Sequence, residues 1–144
     1  MAIELLVLMT WTTWNREPRI DKPIADHLSR LLPLLAAKAS SEMLDLAIVP
    51  THVHVVIRVG GRFELPVLAQ ALKGASARLV NQSAHGCIAL RWAAGYDARS
   101  IGRRQLPGYR SYLDRQGRHH GTSLLARWSK EDARAQQADV AAPA

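Results

Sequence analysis

Cysteine is almost missing from this 144-residue chain: Cys87 stands alone. That excludes an internal disulfide framework and any multi-cysteine zinc site, and it favours a reducing compartment. Long hydrophobic runs are missing as well. The apolar start from Ile3 to Met9 is too short to cross a bilayer and already contains Glu4. No basic stretch precedes it of the kind a secretory signal needs. A cytoplasmic protein with no membrane partner is therefore expected. Acidic side chains are in deficit, twelve against nineteen Lys and Arg, for a net charge of +7. The deficit is local: residues 58–118 carry eleven basic and three acidic side chains, whereas the stretches on either side are close to balanced. A positive field concentrated on one part of a small domain suits a polyanion, because Lys and Arg that neutralise phosphates release condensed counterions.

The length allows one core, and the patterning predicts an α+β domain over residues 1–128. The tail 129–144, rich in Ala, Gln and charge, is read as a frayed helix or a disordered segment. Ile3 to Thr13 reads as a strand buried on both faces. Asp21 can cap a helix from Lys22 to about Ser40 with Pro23 in its first turn, and Pro33 inside it predicts a kink or an early break. From Leu44 to Val59 the odd positions Val49, Val53, Val55, Ile57 and Val59 form an apolar face. His52, His54 and Arg58 fall on the other. Gly60 and Gly61 end that stretch, and a second helix is expected over Glu64 to Ser83. A short strand around Ile88 to Trp92, a turn at Gly95 and an extended piece near Tyr96 follow. A third helix is expected from Pro107 to about Gln116, stopped by Gly117 or Gly121. The order implies a sheet with helices packed mainly on one face.

Several side chains could carry chemistry. His52 and His54, two apart on a strand, project from one face about 6.5 to 7 Å apart and can converge on one cation, but two ligands do not make a site. Tyr112 and Gln116, four apart on the third helix, share a face. A phenol can be a nucleophile and a carboxamide oxygen can ligate a hard metal. Tyr109, one turn earlier, shares part of that face, so spacing does not choose between the tyrosines. Lys73 and Arg78 on the second helix could grip phosphates or be solvated. Arg99, Arg103 and Arg104 form a basic cluster, with Trp92 and Tyr96 nearby as rings on which bases could stack or as core aromatics. His119 and His120 are most simply a solvated helix end.

The ordered set Ile48-Val49-Pro50-Thr51-His52-Val53-His54-Val55-Val56-Ile57, Leu72-Lys73-Gly74-Ala75-Ser76-Ala77-Arg78, Arg91-Trp92-Ala93-Ala94-Gly95-Tyr96 and Tyr112-Leu113-Asp114-Arg115-Gln116-Gly117-Arg118-His119-His120 resembles the single-tyrosine HUH transposases of small bacterial insertion sequences and their REP-associated relatives. The resemblance runs from about Leu5 to His120. It implies a ferredoxin-like or RRM-like antiparallel sheet with a C-terminal tyrosine-bearing helix. It further implies a homodimer acting on single-stranded DNA hairpins and a divalent metal, Mg²⁺ or Mn²⁺, without a nucleotide cofactor. By the same resemblance His52, His54 and Gln116 are the metal ligands and Tyr112 the nucleophile. Lys73, Arg78, Arg99, Arg103, Arg104 and Tyr96 would be DNA contacts. Thr51 stands where the family usually has Asn or Asp, and Ala93 where Gln is common. The alternatives are a domesticated, non-catalytic hairpin-binding protein and a cupin-type hydrolase. A cupin needs an all-β barrel, which two convincing helices disfavour.

Overall fold

The computed structural model describes residues 4–83, 89–116 and 123–141, with side chains described up to residue 136. Five strands form one antiparallel sheet. They are β1 (Leu5–Thr12), β2 (Glu42–Val49), β3 (His52–Val59), β4 (Asp97–Ile101) and β5 (Ala126–Ser129), in the spatial order β4-β1-β3-β2-β5. Among the described residues the α-helices are α1 (Lys22–Lys38), α2 (Leu65–Ser83), α3 (Leu106–Asp114) and α4 (Lys130–Ala141).

The sheet is greasy on both sides, which explains its near-continuous apolar strands. On one side Val7, Met9 and Trp11 of β1 and Val53, Val55 and Ile57 of β3 pack against Leu28 and Leu32 of α1 and Leu68 and Leu72 of α2. On the other, Leu6, Leu8, Val56 and Ala47 pack against Leu106 and Leu113 of α3. Two helices thus cover one face, and α3 packs on the other.

The α+β architecture stands, with several local differences from the sequence pattern. The stretch read as one alternating run is a hairpin, β2 and β3, turned at Pro50 and Thr51. The proline has no N–H to add to a ladder, so the strand breaks there. Asp21 does cap α1, its carboxylate accepting from the Ile24 N–H at 3.0 Å. The helix nevertheless runs on through Pro33 to Lys38 with no early break. Leu28, Leu32, Leu35 and Ala36 are all buried, and their packing offsets the roughly 3 kcal/mol an interior proline costs. Between Arg91 and Tyr96 there is only a single bridge, Thr13 to Trp92, instead of a strand. Ile88, Cys87, Gly117, Gly121, His119 and His120 lie outside the described residues. The helix bearing Tyr112 is followed by β5, which adds to the sheet edge beside β2, and by α4 across the segment read as a tail.

A β-bulge in β2 between Met43 and Asp45 re-aims a charge. Beyond the bulge Asp45 pairs with Val56, so it shares the α3 side of the sheet with Leu44. There its carboxylate, fully buried, accepts from Arg110 Nε of α3 at 3.1 Å and Arg127 Nη2 of β5 at 2.8 Å. Arg127 Nε also reaches Asp114 at 2.9 Å. One buried anion thereby ties α3 and the edge strand to the sheet. Burial works against the charge on Arg110, but the hydrogen bond and charge of Asp45, with Glu131 beyond, outweigh it and raise its pKa.

Candidate active site

The site lies on the α3 side of the sheet, at the end where β3 begins. Ladder registry puts Asp97, Thr10, His54 and Ala47 on one rung across four strands, so their side chains leave the same face. His52 leaves that face one repeat earlier. Both histidines are buried, and their rings meet edge to face with centroids 4.9 Å apart. Each ring is held at Nδ1 by a threonine hydroxyl: Thr51 Oγ1 is 3.0 Å from His52, and Thr10 Oγ1 is 2.9 Å from His54. A ring fixed at Nδ1 presents Nε2 in a set direction, as metal-ligating imidazoles require. Thr51, the departure from the usual Asn or Asp, thus supplies the contact for His52.

Helix α3 brings the other two groups. Leu106 and Leu113 seat it on the sheet, and Pro107 sits in its first turn. Tyr112 then stands edge-on to His54, centroids 5.8 Å apart. Gln116, just past the helix end and fully buried, turns Oε1 toward His52 Nε2 at 3.4 Å. Tyr109 lines the cleft beside Tyr112.

The donor set fits a divalent cation. His52 Nε2 and Gln116 Oε1 stand 3.4 Å apart, a hydrogen bond when the ring carries its proton on Nε2 and a pair of converging donors to a cation when it does not. Two donors each about 2.1 Å from one cation stand roughly 3.0–3.4 Å apart, so the observed gap matches. Gln116 Nε2 is meanwhile buried with no hydrogen-bond partner, an arrangement costing about 1–3 kcal/mol unless the oxygen end is needed. Among the described residues no group of three His, Cys, Asp or Glu side chains could hold a metal, and the Gln116 carboxamide oxygen lies beside the histidine pair as a further donor.

The expected DNA contacts divide. Arg99 lines a cleft of about 590 Å³ with Thr10, His54, Tyr109 and Tyr112. Tyr96 lines a second cleft beside His52. Arg104 is exposed. Arg103 is paired with Glu4. Arg78 is exposed on α2, the helix on the opposite side of the sheet from the histidines. Lys73 donates from Nζ to the carbonyls of Ala93 at 2.8 Å and Gly95 at 2.6 Å, and burial lowers its pKa. It braces a loop. Trp92 belongs to the core, edge-on to Trp11 at 5.8 Å and donating to Ser76. The sequence reading missed Arg16, which lines the cleft beside His52, and Asp97, which lines both clefts. Asp97 shares a rung with His54, but strand pairing is not visible in the residues themselves.

Comparison with known proteins gives the family and the fold. The family model described as transposase, IS200-like, matches residues 3–116. The ISDra2 transposase TnpA of Deinococcus radiodurans is 31% identical over 70 residues, a match covering 49% of this chain and 50% of that protein. The aligned part thus spans about half the length of the curated relative. Among solved structures, a Deinococcus radiodurans R1 protein assigned as a transposase superposes with a TM-score of 0.64 at 22% identity, covering 81% of this chain and 93% of the other. A REP-associated tyrosine transposase bound to a REP hairpin gives 0.65 at 14% identity, covering 84% and 72%. At these identities the two structures speak for the fold.

Proposed function

The chain belongs to the IS200-like transposase family, and from that premise we propose that it cleaves and rejoins single-stranded DNA at hairpin-bearing ends through a 5′-phosphotyrosine on Tyr112. Convergence supports this more than any single residue does. Two buried, threonine-oriented imidazoles of β3, a carboxamide oxygen just past α3 and the half-buried ring of Tyr112 lie side by side at one edge of a cleft.

Residues His52, His54 and Gln116 would hold the cation, Mg²⁺ or Mn²⁺, which when bound supplies Lewis-acid polarisation of the scissile phosphate. The chain does the rest. Tyr112 Oη attacks phosphorus, the Oη–P bond forms as the P–O3′ bond breaks, the phenol gives up its proton and the departing 3′-oxygen gains one. One phosphodiester is exchanged for another, so the reverse step rejoins strands without a nucleotide cofactor. Arg99, in the same cleft as Tyr112, offers a guanidinium to the negative charge that develops. The hydroxyls of Thr10 and Thr51 hold the imidazoles in one orientation throughout.

The test is covalent capture. Purified protein with Mn²⁺ is mixed with single-stranded DNA from both flanks of its own gene and run on denaturing gels beside Tyr112→Phe. An adduct that resists denaturant and disappears in the variant is expected. Tight binding with no adduct would overturn the enzymatic reading in favour of a hairpin-binding protein.

A further inference from the structure

Two clefts flank the histidine pair, and only one contains Tyr112. The other, about 290 Å³, opens beside His52 and is lined by Thr10, Thr12, Arg16, Tyr96 and Asp97. Its walls are built with some strain. Asn15 and Arg16 both sit at φ +53, the left-handed region that successive non-glycine residues seldom share. Such strain persists only where the surroundings enforce it, and it gathers at functional sites. The surroundings do enforce it here. The Trp14 N–H donates to the Arg91 carbonyl at 2.9 Å, and the Arg91 guanidinium lies 3.8 Å over the Trp14 ring. The facing wall turns at Gly95, φ +83, a position suited to glycine. Lys73 braces that wall from below, and the Ala93 N–H donates to the Thr12 carbonyl at 2.9 Å. Between these fixed walls the exposed Arg16 side chain makes no ion pair or hydrogen bond among the described residues.

We propose that this cleft is the subsite for the nucleotide on the 5′ side of the scissile phosphate, the one that departs with the 3′-hydroxyl and must stay bound for rejoining. The proposal rests on Tyr112 as nucleophile. Phosphoryl transfer keeps attacking and leaving oxygens roughly in line, so the leaving nucleotide lies across the phosphate from Tyr112. Tyr112 occupies the His54 side, and the His52 side is therefore where the leaving nucleotide goes. The chemistry of the lining suits it. Arg16 can take the next upstream phosphate, and the Tyr96 ring offers a face for a base. Asp97, whose exposed carboxylate lines both clefts, only accepts hydrogen bonds and so suits a base edge bearing N–H donors. A volume near the lower limit for ligand clefts admits one nucleotide and not a paired stem.

The experiment uses two half-substrates cut at the position the adduct assay maps: a 5′ strand ending in a 3′-hydroxyl and a 3′ strand beginning with a 5′-phosphate. Binding of each is measured by fluorescence anisotropy for the full chain and for Arg16→Ala and Tyr96→Ala. Each variant is expected to weaken the 5′ strand at least tenfold and the 3′ strand less than twofold. Arg16→Gly guards against misfolding, since glycine accepts that backbone, and should give the same selective loss with an unchanged or higher melting temperature. Equal loss on both halves, no loss, or loss confined to the 3′ strand overturns the proposal while leaving the Tyr112 reading intact. Absence of any adduct from the unaltered protein overturns both.

Discussion

Tyr112 and His54 of the same chain stand edge to face, ring centroids 5.8 Å apart and planes at 84°. The contact joins a helix on one side of the sheet to the strand that carries the histidine pair, so a complete set of candidate groups lies within one subunit. Tyr112→Phe keeps the ring and its packing, and it should leave the melting temperature within about 2 °C while abolishing the adduct. An equimolar mixture of Tyr112→Phe and His54→Ala should then remain inactive on denaturing gels. Restored adduct in the mixture would show that the tyrosine serves a second copy instead.

Gln116 gives a stability prediction of opposite sign to its functional one. Its Nε2 is buried without a partner, so Gln116→Met, of similar volume, should hold or raise stability in metal-free buffer, by up to about 1–3 kcal/mol. The same change should erase the rise in melting temperature that millimolar Mn²⁺ gives the unaltered protein, since a ligand stabilises only the state it binds. Thermal melts with and without Mn²⁺ read both effects. A Mn²⁺ shift that survives the substitution would remove Gln116 from the ligand set.

How much of this was legible in the residues depends on whether a neighbour in sequence or a neighbour in space decides the position. His52 and His54 were readable as a pair because a strand's period of two is local. The α1 cap at Asp21 was readable for the same reason, whereas Gln116 lies beyond the end of α3 at Asp114, so helix spacing from Tyr112 does not account for its place beside His52. The β2–β3 hairpin was not, because the apolar residues before and after Pro50 alternate without an obvious interruption. Strand β5 escaped because four residues, Ala126–Ser129, carry no pattern of their own and are set by pairing with β2. Lys73 looked like any helix cation, and only the arrival of the Ala93–Gly95 loop twenty residues later turns it into a brace.

The buried carboxylate of Asp45 should dominate the packing of α3 and β5. Removing one member of a buried, hydrogen-bonded charge set leaves the others uncompensated, at a cost of about 3–5 kcal/mol. Asp45→Ala should therefore lose stability on that scale in urea melts. Arg110→Ala should lose less, because Arg127 still faces Asp45 and Arg110 is partly solvated. A loss of under about 1 kcal/mol for Asp45→Ala would mean the network contributes little to holding the helix.

Acid sensitivity should trace in part to Glu42. The hydrogen bond from Lys130, 2.5 Å away, is the largest influence on its carboxyl and lowers its pKa; burial opposes this, and the charges of Arg58 and Lys130 add to the lowering. A carboxylate with a depressed folded-state pKa contributes stability that is complete well above the unfolded value of about 4.3 and disappears as pH falls through the folded value. Glu42→Gln should thus be less stable than the parent at pH 7 and should lose less on acidification below about pH 4.5, the two curves converging at low pH. Parallel curves across that range would exclude Glu42 as a source of the dependence.

Salt dependence separates cations that touch DNA from those that do not. Each single-strand phosphate neutralised contributes about −0.7 to the slope of log K against log salt. Arg99 lines the cleft that contains Tyr112, whereas Arg78 projects from the helix on the opposite side of the sheet. Arg99→Ala should therefore lower affinity for flanking single-stranded DNA and make the slope shallower by about 0.7. Arg78→Ala should leave both unchanged. Because the two substitutions remove the same charge from a chain of net +7, any general field effect cancels between them, and the difference in slope reports the contact alone. Equal shifts from both would mean that the strand is held by the diffuse field of the basic middle segment and not by the cleft.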